Sequence, residues 1–210
     1  LINAKTSLSS RKVNEKLISN AFRFAIDAHK NDKRQSGEPF ITHPYEVALI
    51  LAKEIPIDDI TIAAALLHDV IEDTEFTIKD IHEEFGKEVA ELVDGATQIE
   101  GLVENYELKQ IESYKKMLLS MTLDLRVMLI KFADRLHNLR TLEFLSSKRQ
   151  YRMAQETLDI YAPLAHRFGL SKLKSELEDM SFKYLNRKEY DKIANRIKDK
   201  KRERERFLKK

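Results

Sequence analysis

Apolar residues recur at three- and four-residue intervals along almost the whole chain, the mark of helices that bury one face. The pattern predicts helices over 11–30, 44–53, 59–73, 77–85, 87–97, 106–121, 124–145, 148–167, 171–185 and 188–208, an all-α protein of about ten helices. Several ends carry their own signals. Pro44 suits a first helical position, with His43 just before it. Asp58 or Asp59 can cap the third helix and Ser171 the penultimate one. Thr77 and Asp80 form a capping-box pair, and Gly86 follows Phe85 as a stop. Two stretches break the period: NDKRQSGEPFITH (31–43) and EGLVENYE (100–107). Neither repeats nor a low-complexity linker interrupts the chain.

The segment LLHDVIEDT (66–74) departs from ordinary amphipathic patterning. Ala63 to Leu67 are apolar all round, which argues for a buried helix. His68, Asp69, Glu72 and Asp73 follow. At about 100° per residue they share one face, at roughly 0°, 100°, 40° and 140°. Buried carboxylates cost several kcal/mol unless they are paired or bound to a metal. Between Thr61 and Phe76 there is no Lys or Arg to pair them, so the pattern suits a divalent cation. A second helix, in LIKFADRLHNLRT, places Asp134, Asn138 and Thr141 on one narrow polar stripe flanked by His137. His43 in FITHP is a third source of a ligand. Two imidazoles and two carboxylates fit a hard-to-borderline divalent ion with positions left open for water or substrate.

Composition narrows the class further. Charged residues make up 34 % of the 210 residues, nearly balanced at +2, while Gly (5) and Pro (4) are scarce; this favours helices over a β-sandwich or barrel. The absence of cysteine excludes disulfides and thiolate metal sites and suits a reducing compartment. No apolar run reaches membrane-spanning length, and no signal peptide is evident. Charge is uneven: residues 183–210 hold 13 Lys/Arg against 5 Asp/Glu. That terminal helix reads as a solvated arm laced by i,i+4 ion pairs, or as a basic surface for RNA or another domain. His29, His82 and His166 read as structural; His137 reads as a support for the ligand-bearing helix. The Lys148, Arg149 and Arg152 group is surface charge or a reach toward substrate phosphates.

The order His…His-Asp…Asp resembles the HD superfamily of metal-dependent phosphohydrolases. More narrowly, RQSGEPFITHP, ALLHDVIEDT, KFADRLHNLRT and ETLDIYAPLAHRFG resemble the hydrolase domain of the RelA/SpoT homologues, over about residues 17–205. The resemblance implies an HD-domain helical bundle at 1–187 and a basic helical arm at 188–210 leading toward a synthetase domain. It implies Mn²⁺ held by His43, His68, Asp69 and Asp134, with Glu72 and Asp73 as the catalytic acidic pair. Arg34 and Ser36 would hold the nucleotide, and Asn138 and Thr141 would line the guanosine pocket. The implied reaction removes the 3′-pyrophosphate of ppGpp or pppGpp, in the stringent response of a bacterial cytoplasm. Implied partners are the synthetase domain of the same protein and, through C-terminal regions beyond this chain, the ribosome. Neither a membrane nor direct nucleic-acid binding by this domain is implied. One position departs from the pattern: many family members carry Lys after the loop arginine, and here it is Gln35. Two other readings stand beside this one: a catalytically silent module that binds guanine nucleotide, and an HD hydrolase of another nucleotide.

Overall fold

The structure, a computed structural model, describes residues 13–55, 57–100 and 124–208, with backbone alone at 98–100 and 201–208. The described residues are helical or irregular, in agreement with an all-α fold. The predicted helix over 106–121 lies outside them. The chain divides into two compact units, Leu1–Phe144 and Leu145–Lys210.

The first unit is assembled around one short helix. Its elements are α1 (Glu15–Ala28), α2 (Thr42–Glu54), α3 (Asp59–Leu67), α4 (Val70–Asp73), α5 (Ile78–Phe85), α6 (Lys87–Glu100) and α7 (Leu125–Arg140), followed by a 3-10 turn at Leu142–Phe144. α3 packs against α1, α2, α6 and α7. Every residue from Thr61 to Leu67 is buried, as the all-round apolar sequence requires. With so many neighbours, α3 has no exposed face from Thr61 to Leu67. α6 and α7 approach closely at Gly95, where an added Cβ would stand 2.9 Å from Val127 Cγ2.

Helix ends follow local chemistry in most places. Asp58 accepts a hydrogen bond from the Thr61 backbone N–H at 2.7 Å and caps α3. The Thr77 backbone N–H donates to Asp80 at 2.7 Å, as one arm of a capping box. Gly86 ends α5 at φ 87°, a left-handed conformation that costs other residues strain. Two ends differ from the sequence reading. α2 begins at Thr42, so His43 and Pro44 sit inside its first turn; Pro44 is tolerated there because first-turn N–H groups have no intrahelical partner anyway. Ser171 is the first helical residue of its helix, and Leu170 holds the cap position without a side-chain bond.

The second unit holds α8 (Ser147–Glu156), a π-helical turn (Thr157–Tyr161), α9 (Ala162–Arg167), α10 (Ser171–Leu185) and α11 (Arg187–Leu208). The π turn passes the chain from α8 into α9 without a break. The Ala162 N–H reaches back five residues to Thr157 O, just before Pro163, which has no N–H to give. α8, the π turn and α9 all pack on α10. α11 is largely exposed from Arg187 to Lys200, including Ile193 and Ile197. Among the described residues no helix is long and apolar enough to cross a membrane.

Candidate metal centre

The continuous helix predicted over 59–73 is interrupted at the His-Asp pair. α3 stops at Leu67 and α4 starts at Val70. Asp69 sits between them at φ −93°, ψ −9°, in the bridge region used by tight turns. The interruption has a geometric consequence. Successive side chains on a regular helix diverge by about 100°. Here Asp69 Oδ1 instead lies 3.0 Å from Nε2 of its neighbour His68, so both aim at one point.

Two other helices deliver the remaining groups. His43, in the first turn of α2, places Nε2 3.4 Å from Asp69 Oδ2 and 3.1 Å from Asp134 Oδ1. Asp134, midway along α7, is also 3.9 Å from His68 Nε2. Ligand atoms of His43, His68 and Asp69 all lie within 4.8 Å of one another, close enough to hold one ion. The four side chains predicted from the sequence as a set are thus brought together by α2, the α3–α4 turn and α7.

The donor set fits a divalent cation on a specific observation. His68 Nδ1 is 2.9 Å from Ala65 O and donates to it, because a carbonyl can only accept. In the neutral ring that leaves the lone pair on Nε2, and without an ion a proton takes its place. Nε2 is buried and has no hydrogen-bond partner, since Asp69 Oδ1 is near it but off the line of a bond. A buried nitrogen lone pair facing two carboxylates is costly unless a cation satisfies it.

Electrostatics without a cation show the same demand. Burial pushes the His68 imidazole down, but Asp69 and Asp134 outweigh it and raise it to about 9. Burial would raise Asp69; His68 and His43 overcome that and hold it at about 2. Asp134 is likewise held well below the usual carboxylate range against its burial, through His43 and Lys131. The last group was not anticipated. Lys131 is buried, with Nζ 3.8 Å from Asp134 Oδ2. Its only signal in the sequence was a lone lysine in an apolar run, three residues before Asp134.

A polar strip runs outward from the cluster. Asn138 Nδ2 donates to Asp134 Oδ1 at 2.7 Å. Arg34 Nη2 donates to Asn138 Oδ1 at 3.3 Å and Thr141 Oγ1 at 3.2 Å. The loop bearing Arg34 is closed by an antiparallel bridge between Lys33 and Pro39, with Gly37 at φ 88° at its tip. His29, half of a stacked pair with Phe40, braces its base. Ser36 does not join the strip; its hydroxyl donates to Glu38 at 3.2 Å. Glu72 and Asp73 are exposed on the single turn of α4. His137 contacts the cluster directly, with Nδ1 2.7 Å from His43 Nδ1. Burial, His43 and the nearby Arg34 guanidinium push His137 down to about 3, so it is neutral.

Away from the cluster, Arg126 ties together the starts of three helices. Its Nη1 lies 2.8 Å from both Asp58 and Glu88, and Nη2 lies 2.7 Å from Asp124. This clamp fixes the origins of α3, α6 and α7, and so the register in which α3 and α7 present His68 and Asp134.

An all-helical unit gathers two histidines and two aspartates from three successive segments into a cluster that could hold a metal ion. The chain belongs to the HD domain family, whose sequence profile matches residues 21–171. It is 46 % identical over 193 residues to a guanosine-3′,5′-bis(diphosphate) 3′-pyrophosphohydrolase of Aquifex aeolicus, covering 92 % of this chain and 27 % of that one. It is 45 % identical over 196 residues to a GTP pyrophosphokinase of Myxococcus xanthus, covering 91 % and 26 %. The chain therefore spans about a quarter of the length of these curated relatives. A solved structure of a metazoan ortholog of SpoT that hydrolyzes ppGpp matches with a TM-score of 0.60 and 27 % identity, over 86 % of this chain and 99 % of that one.

Proposed function

We propose that the chain hydrolyses the 3′-pyrophosphate of ppGpp and pppGpp, giving GDP or GTP and pyrophosphate. The observation that carries this is the convergence of His43, His68, Asp69 and Asp134, with the buried His68 Nε2 left without a hydrogen-bond partner. The relatives named for this activity supply the substrate class. His43, His68, Asp69 and Asp134 hold Mn²⁺ in this reading. Bound there, the ion supplies a Lewis acid for the phosphate and lowers the pKa of water.

The chain's own residues divide the remaining work. Glu72 and Asp73 orient the attacking water and take its proton. The water oxygen ends on the released pyrophosphate, and a proton ends on the ribose 3′ oxygen. Arg34 offers a planar fork for phosphate or a flat cation to stack on guanine. Asn138 and Thr141 line the base pocket, and Ser36 turns from Glu38 to the nucleotide. The strip from Arg34 through Asn138 to Asp134 places substrate beside the ion.

The relatives' greater length supports a larger parent enzyme, in this reading one of the bacterial cytoplasm. Residues 1–187 form its hydrolase domain on the same reading, and the basic arm at 188–210 leads to a synthetase domain.

The test is direct. The purified chain is incubated with Mn²⁺ and ppGpp, and nucleotides are resolved by ion-exchange chromatography. GDP and pyrophosphate are expected from the wild type and neither from Asp69→Ala. A Mn²⁺-loaded wild type that leaves ppGpp intact sinks the reading; faster cleavage of dGTP moves it to another nucleotide.

A further inference from the structure

The two histidines of the cluster are anchored differently. His68 Nδ1 bonds to Ala65 O at 2.9 Å. A backbone carbonyl never donates, so the neutral ring can hold only one arrangement: the proton on Nδ1 and the lone pair on Nε2. His43 Nδ1 instead meets a second imidazole, His137 Nδ1, at 2.7 Å. An imidazole nitrogen either donates or accepts. If His137 donated, His43 would accept on Nδ1 and carry its proton on Nε2, pointing it at Asp134 Oδ1 3.1 Å away. In that arrangement His43 gives the cluster a proton rather than a lone pair, and cannot be a ligand.

We infer that His137 is a positioning residue of the centre: its Nδ1 accepts from His43 Nδ1–H and so holds the His43 lone pair on Nε2. This rests on the metal-centre reading above. Three features hold His137 in place for the task. Its ring centroid is 4.9 Å from that of His43, tilted by 49°. Its carbonyl accepts from both the backbone N–H and the hydroxyl of Thr141, at 3.1 Å each. Its side chain is buried, which keeps water from substituting for the acceptor. One turn of α7 thus carries a ligand, Asp134, and the group that sets the tautomer of another. Such partners of metal-bound histidines commonly change affinity by about 10- to 100-fold.

The test uses the full chain and Mn²⁺ alone, with free ion counted by its paramagnetic resonance signal. His137→Leu removes the acceptor at similar volume and is expected to weaken Mn²⁺ binding at least about tenfold. His137→Asn puts an amide oxygen near the Nδ1 position and is expected to restore binding to within about threefold of wild type. Long-range ¹⁵N–¹H correlation spectra of the metal-free wild type, which need no variant, are expected to show His137 protonated on Nε2 only. A proton on His137 Nδ1, or a Leu variant that binds as tightly as wild type, overturns the inference and leaves the metal centre standing. Failure of the wild type to bind Mn²⁺ at all overturns both.

Discussion

Two sets of acids stand within five residues of each other and live in opposite surroundings. Asp69 lies in a buried cluster with His43 and His68, whose exposures are 3 % and 1 %. Glu72 and Asp73, on the next turn, face solvent. The turn at Asp69 produces the difference, ending the buried helix and starting an exposed one. The contrast separates two tasks that carboxylates can perform. A largely enclosed carboxylate held ionised by neighbouring imidazoles suits a cation; an exposed one can meet water and exchange a proton with it.

That contrast breaks if the two sets respond alike to substitution. Asp69→Ala or His68→Ala is expected to abolish Mn²⁺ binding and to lower turnover of ppGpp by more than about 10³-fold. Glu72→Gln and Asp73→Asn are expected to lower turnover by about 10²- to 10⁴-fold while leaving Mn²⁺ affinity within about threefold. Titration of Mn²⁺ into each variant, beside a product assay, separates the outcomes. Loss of metal in Glu72→Gln would merge the two sets into one.

The next effect is the pH dependence of metal binding. His68 is raised to about 9 without a cation, so at neutral pH it holds a proton that the ion must displace. Affinity should rise about tenfold per pH unit below 9 and then level off. The sign for stability is opposite. A folded pKa above the unfolded value of about 6.5 stabilises fully below 6.5, and that contribution is lost as pH rises through 9. The metal-free chain should therefore melt at a lower temperature at pH 9 than at pH 6.5, and the Mn²⁺-loaded chain should not follow it.

Much of this was legible beforehand, for reasons that differ by residue. Asp58, Thr77 with Asp80, and Gly86 act within one turn of themselves, so spacing alone reveals them. The apolar run Ala63–Leu67 is buried because no helical face is polar. The break at His68–Asp69 was hidden, because neither residue is a Gly or Pro and only contacts with α2 and α7 show what the turn is for. Contacts between distant segments were equally invisible. His43 meets His137 across 94 positions, and Arg126 meets Asp58 across 68. Beyond its apolar neighbours, nothing in the sequence marks Lys131 as buried; in the structure its ammonium lies beside the carboxylate of Asp134.

Two smaller effects sharpen the comparison by testing its frame. Gly95→Ala gains up to about 1 kcal/mol of helix propensity. Its Cβ would sit 2.9 Å from the stiff, buried Val127, and overpacking of that kind costs about 1–3 kcal/mol. A net loss of about 1 kcal/mol in chemical denaturation is expected, with a weakened centre because α7 carries Asp134. The smallest effect is at Gln35, which is exposed beside Arg34. Gln35→Lys restores a positive charge near the phosphates and should lower KM by a few-fold, with kcat unchanged.

The most direct test is anomalous scattering from crystals grown with Mn²⁺ and measured on both sides of the manganese edge. The expected result is a single strong peak bounded by His43 Nε2, His68 Nε2, Asp69 and Asp134. Full Mn²⁺ occupancy elsewhere in the molecule, with these four side chains still paired only to one another, would contradict it.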